Sequence, residues 1–384
     1  MPFDPVPSAP PDSPATRRAH RRVAVWLFGL CAMVLVMVTL GGATRLTGSG
    51  LSIMEWDPIL GALPPWSDAE WHRLFALYQR IPQYALVNQG FGLAGFKHIF
   101  WLEWAHRLWG RLIGLAFFVP LVVFLIQGAI PRRMRGALIG LFVLLGLQGV
   151  VGWFMVSSGF FADSTSVAAW RLVAHLSLAL CLFAAMLWSG LSLLRPLRLR
   201  VWTPAARLFA LTAGGVAVTI VAGGFVAGLH AGMTYNTYPL MDGQWLPPGY
   251  AALRPFVRNW VENIGAVQFD HRLLATATAL LTVFAVVIGW LDAGRDATRR
   301  GAVAVLGGAV ALQYVLGIVT LLRMVPVGLA TLHQLNAVLV LAAVLLNLHL
   351  SRSRAPGVLP SRFTAAEPAV VRPRVRASLF SRSN

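Results

Sequence analysis

Runs of about twenty predominantly apolar residues recur eight times along the chain, near 23–42, 104–129, 136–156, 168–194, 206–229, 271–292, 301–322 and 327–350. A helix of that length covers the ~30 Å hydrocarbon core of a bilayer. The pattern therefore predicts an all-α integral membrane protein with eight transmembrane helices. Two long links, 43–103 and 230–270, carry the turn-rich strings GSGLS, LPPWSD and DGQWLPPG and read as folded loops, with a short helix around 68–79. The other connections are short and basic: PRRMR (131–135), RPLRLR (195–200) and DAGRDATRR (292–300), with RRAHRR (17–22) before the first run and SRSR (351–354) after the last. By the positive-inside rule these segments face the cytoplasm, which puts both termini inside and the two long loops outside. The leader, 1–22, and the tail, 353–384, are Pro-, Ser- and Arg-rich and are expected to be disordered cytoplasmic segments. The leader lacks a small-residue cleavage site, so no cleavable signal peptide is expected.

The order of features repeats. Each half has a Gly-Gly exit (Gly41-Gly42, Gly223-Gly224), a long loop containing LPP, and a helix bearing a His-Arg pair. A helix of Leu-Gly-Gln type follows (LGLQGVVGW, LQYVLGIVT), then one with a histidine near its start (RLVAHLSLAL, LATLHQLNAV). The offset between the His-Arg pairs, His106 to His271, is 165 residues, and that from His175 to His333 is 158. One duplication with a trimmed loop accounts for both. Four spans separate the copies, so the repeat is parallel. The expected architecture is two tandem four-helix bundles related by a pseudo-two-fold axis, 23–200 and 201–352.

Composition narrows the function classes. Charged residues make up 12 % of the chain, about half the share of a soluble domain, and hydrophobic residues make up 57 %. The net charge of +18 lies in the links and tails, which is the signature of membrane topology and not of a nucleic-acid face. Cys31 and Cys181 both sit within apolar runs and form no CxxC pair, so neither a disulfide framework nor a zinc site is indicated.

The topology brings His106, His175, His271 and His333 to one depth, at the outer ends of alternate helices. Two imidazoles from two helices of one bundle can ligate a heme iron from both faces. A lone histidine in a membrane helix is commonly a polar interhelical contact. Four that recur at matching places in a duplicated unit point to a site. Zinc fits less well, because each bundle offers two histidines and no thiolate. His72, His98 and His230 fall in the outer loops, His349 at a cytoplasmic helix end and His20 in the basic leader, where solvated surface is expected. Arg107 and Arg272 follow ligand candidates, and Arg45 lies at the exit of the first helix. Each could clamp a heme propionate, or snorkel to lipid headgroups.

The halves differ at one informative position. Glu103, three residues before His106 and on the same helix face, aligns with Gln268. A carboxylate beside a heme edge can move protons or stabilise developing positive charge, whereas a glutamine does neither as well. The alternative is a first-turn glutamate satisfying helix N–H groups. On the first reading the N-terminal bundle is the chemical site, and the C-terminal bundle an electron-transfer or structural heme site.

The strings GGATRLTGSGLSI (41–53), EWAHRLWGRLIG (103–114), GGFVAGLHAGMTYNTYPLMDGQWLP (223–247), NIGAVQFDHR (263–272) and LATLHQLNA (329–337) resemble the heme A synthase family, over all eight spans. The resemblance implies conversion of heme O to heme A for terminal oxidases, by successive hydroxylations of a porphyrin methyl to a gem-diol that loses water. It implies a substrate heme between His106 and His175, a heme b between His271 and His333, and Glu103 as the essential acid of a Glu-x-x-His-Arg motif. Contact with heme O synthase, an electron acceptor and a homo-oligomer are further expectations from the family. The long loops contain no cysteine, as in the family's cysteine-poor bacterial and mitochondrial class. Asp4, Asp12 and several prolines in the leader do not suit a mitochondrial address, which favours a bacterial inner membrane, with the heme sites toward the periplasm. Two other readings compete: a diheme b-type electron carrier that leaves its hemes unaltered, and a parallel-repeat transporter. The transporter would require polar groups near the bilayer midplane, not at the outer end.

Overall fold

The computed structural model describes residues 13–57, 60–161, 164–195 and 202–352. The tail, most of the 195–200 link and the first twelve residues of the leader lie outside the described residues. Ten α-helices form among those described: α1 (Pro14–Leu46), α2 (Asp68–Tyr78), α3 (Pro82–Leu86), α4 (Leu93–Ile126), α5 (Arg132–Ser157), α6 (Ala169–Leu194), α7 (Pro204–Gly228), α8 (Ile264–Ala293), α9 (Ala297–Leu322) and α10 (Val327–Arg352). Eight of them are long and apolar enough to cross a membrane, and they coincide with the eight runs. α2 forms where a short loop helix was expected.

Three of the long helices, α1, α4 and α8, begin seven or more residues ahead of their apolar runs. α1 starts at Pro14, whose fixed φ suits the first helical position, and Ser13 Oγ caps it by accepting from Thr16 N. The basic string 17–22, expected to be disordered, is therefore helical. α4 begins eleven residues ahead of its run, because its first turns pack on α2 in place of lipid. Phe96, Ile99 and Phe100 are buried against Trp71, Leu74 and Tyr78, while His98 on the other side is exposed. This amphipathic start moves Glu103 and His106 out of the first turn, His106 by roughly four turns. α8 begins at Ile264, where Asn263 Oδ1 accepts from Gly265 N and Ala266 N.

α1 and α5 each pack on α4 and α6, while α7 and α9 each pack on α8 and α10. Between these quartets, α6 packs on α7 and α10, and α1 on α10. A continuous apolar core, including Leu27, Phe117, Phe183, Phe209 and Val344, fills the depth where α1 begins and α10 ends. His175, His271 and His333, described next, lie near the starts of α6, α8 and α10. Large apolar side chains such as Leu115, Val143, Phe284 and Val305 point outward, as expected where the solvent is hydrocarbon.

Candidate functional site

Each of the four histidines lies against a glycine of a neighbouring helix. A Cβ on Gly41 of α1 would stand 2.8 Å from His106 Cε1, and one on Gly152 of α5 would stand 2.9 Å from His175 Cε1. In the second quartet the corresponding distances are 2.8 Å from Gly223 of α7 to His271 and 3.0 Å from Gly317 of α9 to His333. Any side chain there would displace the ring, so the glycines make the seats that fix the imidazoles.

Polar neighbours then orient the rings. Gln148 Nε2 lies 3.1 Å from His175 Nδ1 and 3.0 Å from the His175 carbonyl oxygen. Gln313 Nε2 makes the same pair of contacts to His333, both at 3.1 Å. His271 Nδ1 lies 3.1 Å from the Thr219 carbonyl, an acceptor that holds the proton on Nδ1 and leaves the lone pair on Nε2. His106 Nδ1 is buried with no hydrogen-bond partner. His106 and His175 lie within electrostatic reach of each other, as do His271 and His333. Among the described residues no group of three or more His, Cys, Asp or Glu side chains gathers. Two imidazoles on neighbouring helices can hold a heme iron from both faces, and two are too few for a closed zinc site.

Glu103 is 3 % exposed, and both its oxygens are held. Oε2 accepts from Ser52 N and Ser52 Oγ, each at 2.7 Å, and from Ile53 N at 2.9 Å. Oε1 accepts from Arg107 Nε at 3.0 Å and Nη2 at 2.6 Å. The helix-capping alternative is thereby excluded, since Glu103 grips the loop after α1 and leaves the helix N-terminus alone. Five donors, two of them from a paired guanidinium, offset the cost of burying the carboxylate. Gln268, 2 % exposed, stands at the matching place with the polarity reversed. Its Nε2 donates to the carbonyls of Ala231 (2.8 Å) and Thr234 (2.5 Å), and its Oε1 accepts from Arg272 Nη2 at 3.1 Å. One loop turns N–H groups toward an acid, and the other turns carbonyls toward an amide.

The arginines are engaged within the protein. Arg107 also donates to the carbonyls of Ile53 (2.7 Å) and Glu55 (3.0 Å), and Arg272 to those of Tyr235 (2.6 Å) and Thr237 (2.9 Å). Neither snorkels to headgroups. Arg45 donates to the Ala227 carbonyl at 2.9 Å, tying the end of α1 to that of α7. Arg107 and Arg111 also line a cleft of ≈ 430 Å³ between the first long loop, α2 and α4.

Of the remaining histidines, His72 and His98 sit on exposed helical faces, not in irregular loop, and His230 follows α7 in a left-handed conformation, φ 53°. His349 departs from expectation. It is fully buried between Trp188, whose ring stands 5.0 Å away edge-on, and Ser192. From the sequence, Gly41, Gly223 and the Leu-Gly-Gln strings served only to mark the repeat, and no site role fell to Ser52, Gln148, Gln313 or the four seating glycines. The repeated Gln-x-x-x-Gly spacing (Gln148–Gly152, Gln313–Gly317) was the available signal for four of these seven, because residues four apart share a helix face.

Comparison with known proteins adds independent weight. Residues 24–345 match the family model described as cytochrome oxidase assembly protein. Heme A synthase from Granulibacter bethesdensis is 59 % identical over 85 % of this chain and 86 % of its own length. Heme A synthase 2 from Acidiphilium cryptum is 45 % identical over 86 % of this chain and 91 % of its own, and heme A synthase from Nitrosomonas eutropha 45 % over 88 % and 96 %. With eight spans, paired histidines and an acid-bearing first half in place, the chain belongs to the heme A synthase family of cytochrome oxidase assembly proteins.

Proposed function

We propose that this chain oxidises a methyl group of heme O, through successive hydroxylations, to the formyl group of heme A. The observation that carries the assignment of roles is the Glu103–Gln268 asymmetry between otherwise matching His-Arg helices. His106 and His175 hold the substrate heme, with Glu103 one turn from the ligand. His271 and His333 hold a heme b, which when bound supplies a one-electron redox centre. The seats at Gly223 and Gly317, the Thr219 carbonyl and the Gln313 amide support that second pair. The two quartets act as copies of one four-helix unit, and their matching seats support the duplication.

Glu103 is the catalytic residue. Its fixed carboxylate favours positive charge developing at the porphyrin edge as the methyl group is oxidised, and a preorganised charge in a dry site needs no reorganisation to act. Arg107 keeps that carboxylate aimed. Arg45, Arg107 and Arg272 contact heme propionates, the latter two by exchanging a loop carbonyl for a carboxylate. The basic links lie on the cytoplasmic side of a bacterial inner membrane and the sites toward the periplasm, an orientation that the 131–135 and 292–300 segments support. Heme O synthase as the source of substrate, a separate electron acceptor and a homo-oligomer complete the proposal.

Purified protein co-produced with heme O synthase is expected to yield heme B together with heme O, its hydroxylated form or heme A, separated by chromatography and identified by mass. Heme B alone, at two per chain, would establish the electron carrier instead. Glu103→Gln is expected to keep both hemes and stop formyl production; undiminished heme A would remove Glu103 from the chemistry.

A further inference from the structure

We propose that Ser52 is a positioning residue for the oxidation, acting through Glu103; this rests on the reading that the substrate heme lies beside Glu103. Ser52 is 2 % exposed and presents two donors, its amide and its hydroxyl, to the same oxygen, Glu103 Oε2. Arg107 holds the other oxygen through two nitrogens, so rotation about the last carboxylate torsion would break contacts on both sides.

The segment that carries Ser52 is itself anchored. Gln83 Nε2 on α3 donates to the Gly48 carbonyl at 3.0 Å, and Ser49 N donates to the Thr44 carbonyl at 2.9 Å. Leu51 packs so tightly on Gly159, beyond α5, that a Cβ there would stand 2.4 Å from it. Ser52 therefore transmits the position of a rigid strap to the carboxylate, in the way that a supporting shell fixes a catalytic group. In the second half Gln268 meets the carbonyls of Ala231 and Thr234 in place of a hydroxyl. The hydroxyl accompanies the acid.

The test uses the full chain co-produced with heme O synthase, with Ser52→Ala and Ser52→Thr beside Glu103→Gln. Heme b content reports folding, and hydrogen exchange of the 49–55 segment reports the strap. Losing one hydrogen bond to a charged acceptor predicts roughly a tenfold or greater fall in conversion. Ser52→Ala is expected to keep heme b and bound substrate heme, speed exchange of the Ser49–Glu55 amides, and stall product at the hydroxylated stage. Ser52→Thr, which keeps the hydroxyl, is expected to restore the product ratio. Wild-type exchange and product ratio in Ser52→Ala, with Glu103→Gln inactive, would overturn the role of Ser52 alone. Accelerated exchange with an unchanged ratio would make Ser52 structural only and would likewise overturn it. Wild-type conversion by Glu103→Gln would overturn the reading of Glu103 and this proposal with it.

Discussion

Replacing Gly223 by alanine would place a methyl group where the His271 ring now lies. The new Cβ would stand 2.8 Å from Cε1 and 3.3 Å from Nδ1, whereas ordinary contact begins at 3.4 Å. The ring must withdraw by about 0.6 Å from α7, which stretches its 3.1 Å contact with the carbonyl of Thr219, one turn before Gly223 on the same helix. Overpacking of this kind costs roughly 1–3 kcal/mol. Concentrated on the heme-bound form, that is about 5- to 150-fold in affinity. The assay is heme extraction from the purified full-length variant, with low-temperature electron paramagnetic resonance of the oxidised protein. The expected result is loss of heme b, or a shifted low-spin signal from a tilted imidazole, with heme in the first half retained. Gly140→Ala on α5, where a Cβ would meet nothing within 4 Å, serves as the control and leaves both hemes in place. Full heme b content with an unchanged signal in Gly223→Ala would refute the claim that the glycine seats a ligand.

Gln313→Leu removes the amide that donates to the His333 carbonyl and accepts from Asn336 Nδ2, which loosens α10 beside the ligand, and is expected to lower heme b affinity roughly tenfold, measured as heme retained through dialysis. Gly228→Val is expected to destabilise the fold by at least ~1–3 kcal/mol, read as a lower melting temperature in detergent, because its Cβ would stand 2.7 Å from the Ala169 Cα and backbone cannot yield as a flexible side chain can. Burial, and then the hydrogen bond to Asp270, push the Tyr250 phenol up to about 12. A phenol raised on folding stabilises the protein fully below the unfolded value near ~10 and loses that contribution as pH rises toward the folded value. Ultraviolet titration of Tyr250→Phe should therefore lose one of the late phenols of the parent, and melting temperature should decline between those limits in the parent but not through this group in the variant.

Much of the membrane architecture was legible from the chain. Hydrocarbon cannot hydrogen-bond a peptide, so each span must be a helix whose residues are apolar, and that requirement is written in local order. The eight spans followed from run length. Where α4 begins did not follow, because its first turns are amphipathic and pack on α2, a helix that apolar run length does not detect. The burial of His349 was missed for a related reason: its neighbours, Trp188 and Ser192, are more than 150 positions away in the chain.

The sequence by itself determined the class, the eight spans, the duplicated histidines and the Glu103–Gln268 contrast, since all four are patterns of residue type at fixed spacing. Tertiary structure alone decided what those residues touch. Ser52 reaches Glu103 across 51 positions, Arg107 is committed to that acid and to loop carbonyls, and each histidine has a glycine seat on a different helix. The physical reason is that a buried polar group must be satisfied by whatever donor or acceptor the packing brings to it. Spacing along one helix constrains which face a side chain occupies, but the identity of its partner depends on the approach of another segment.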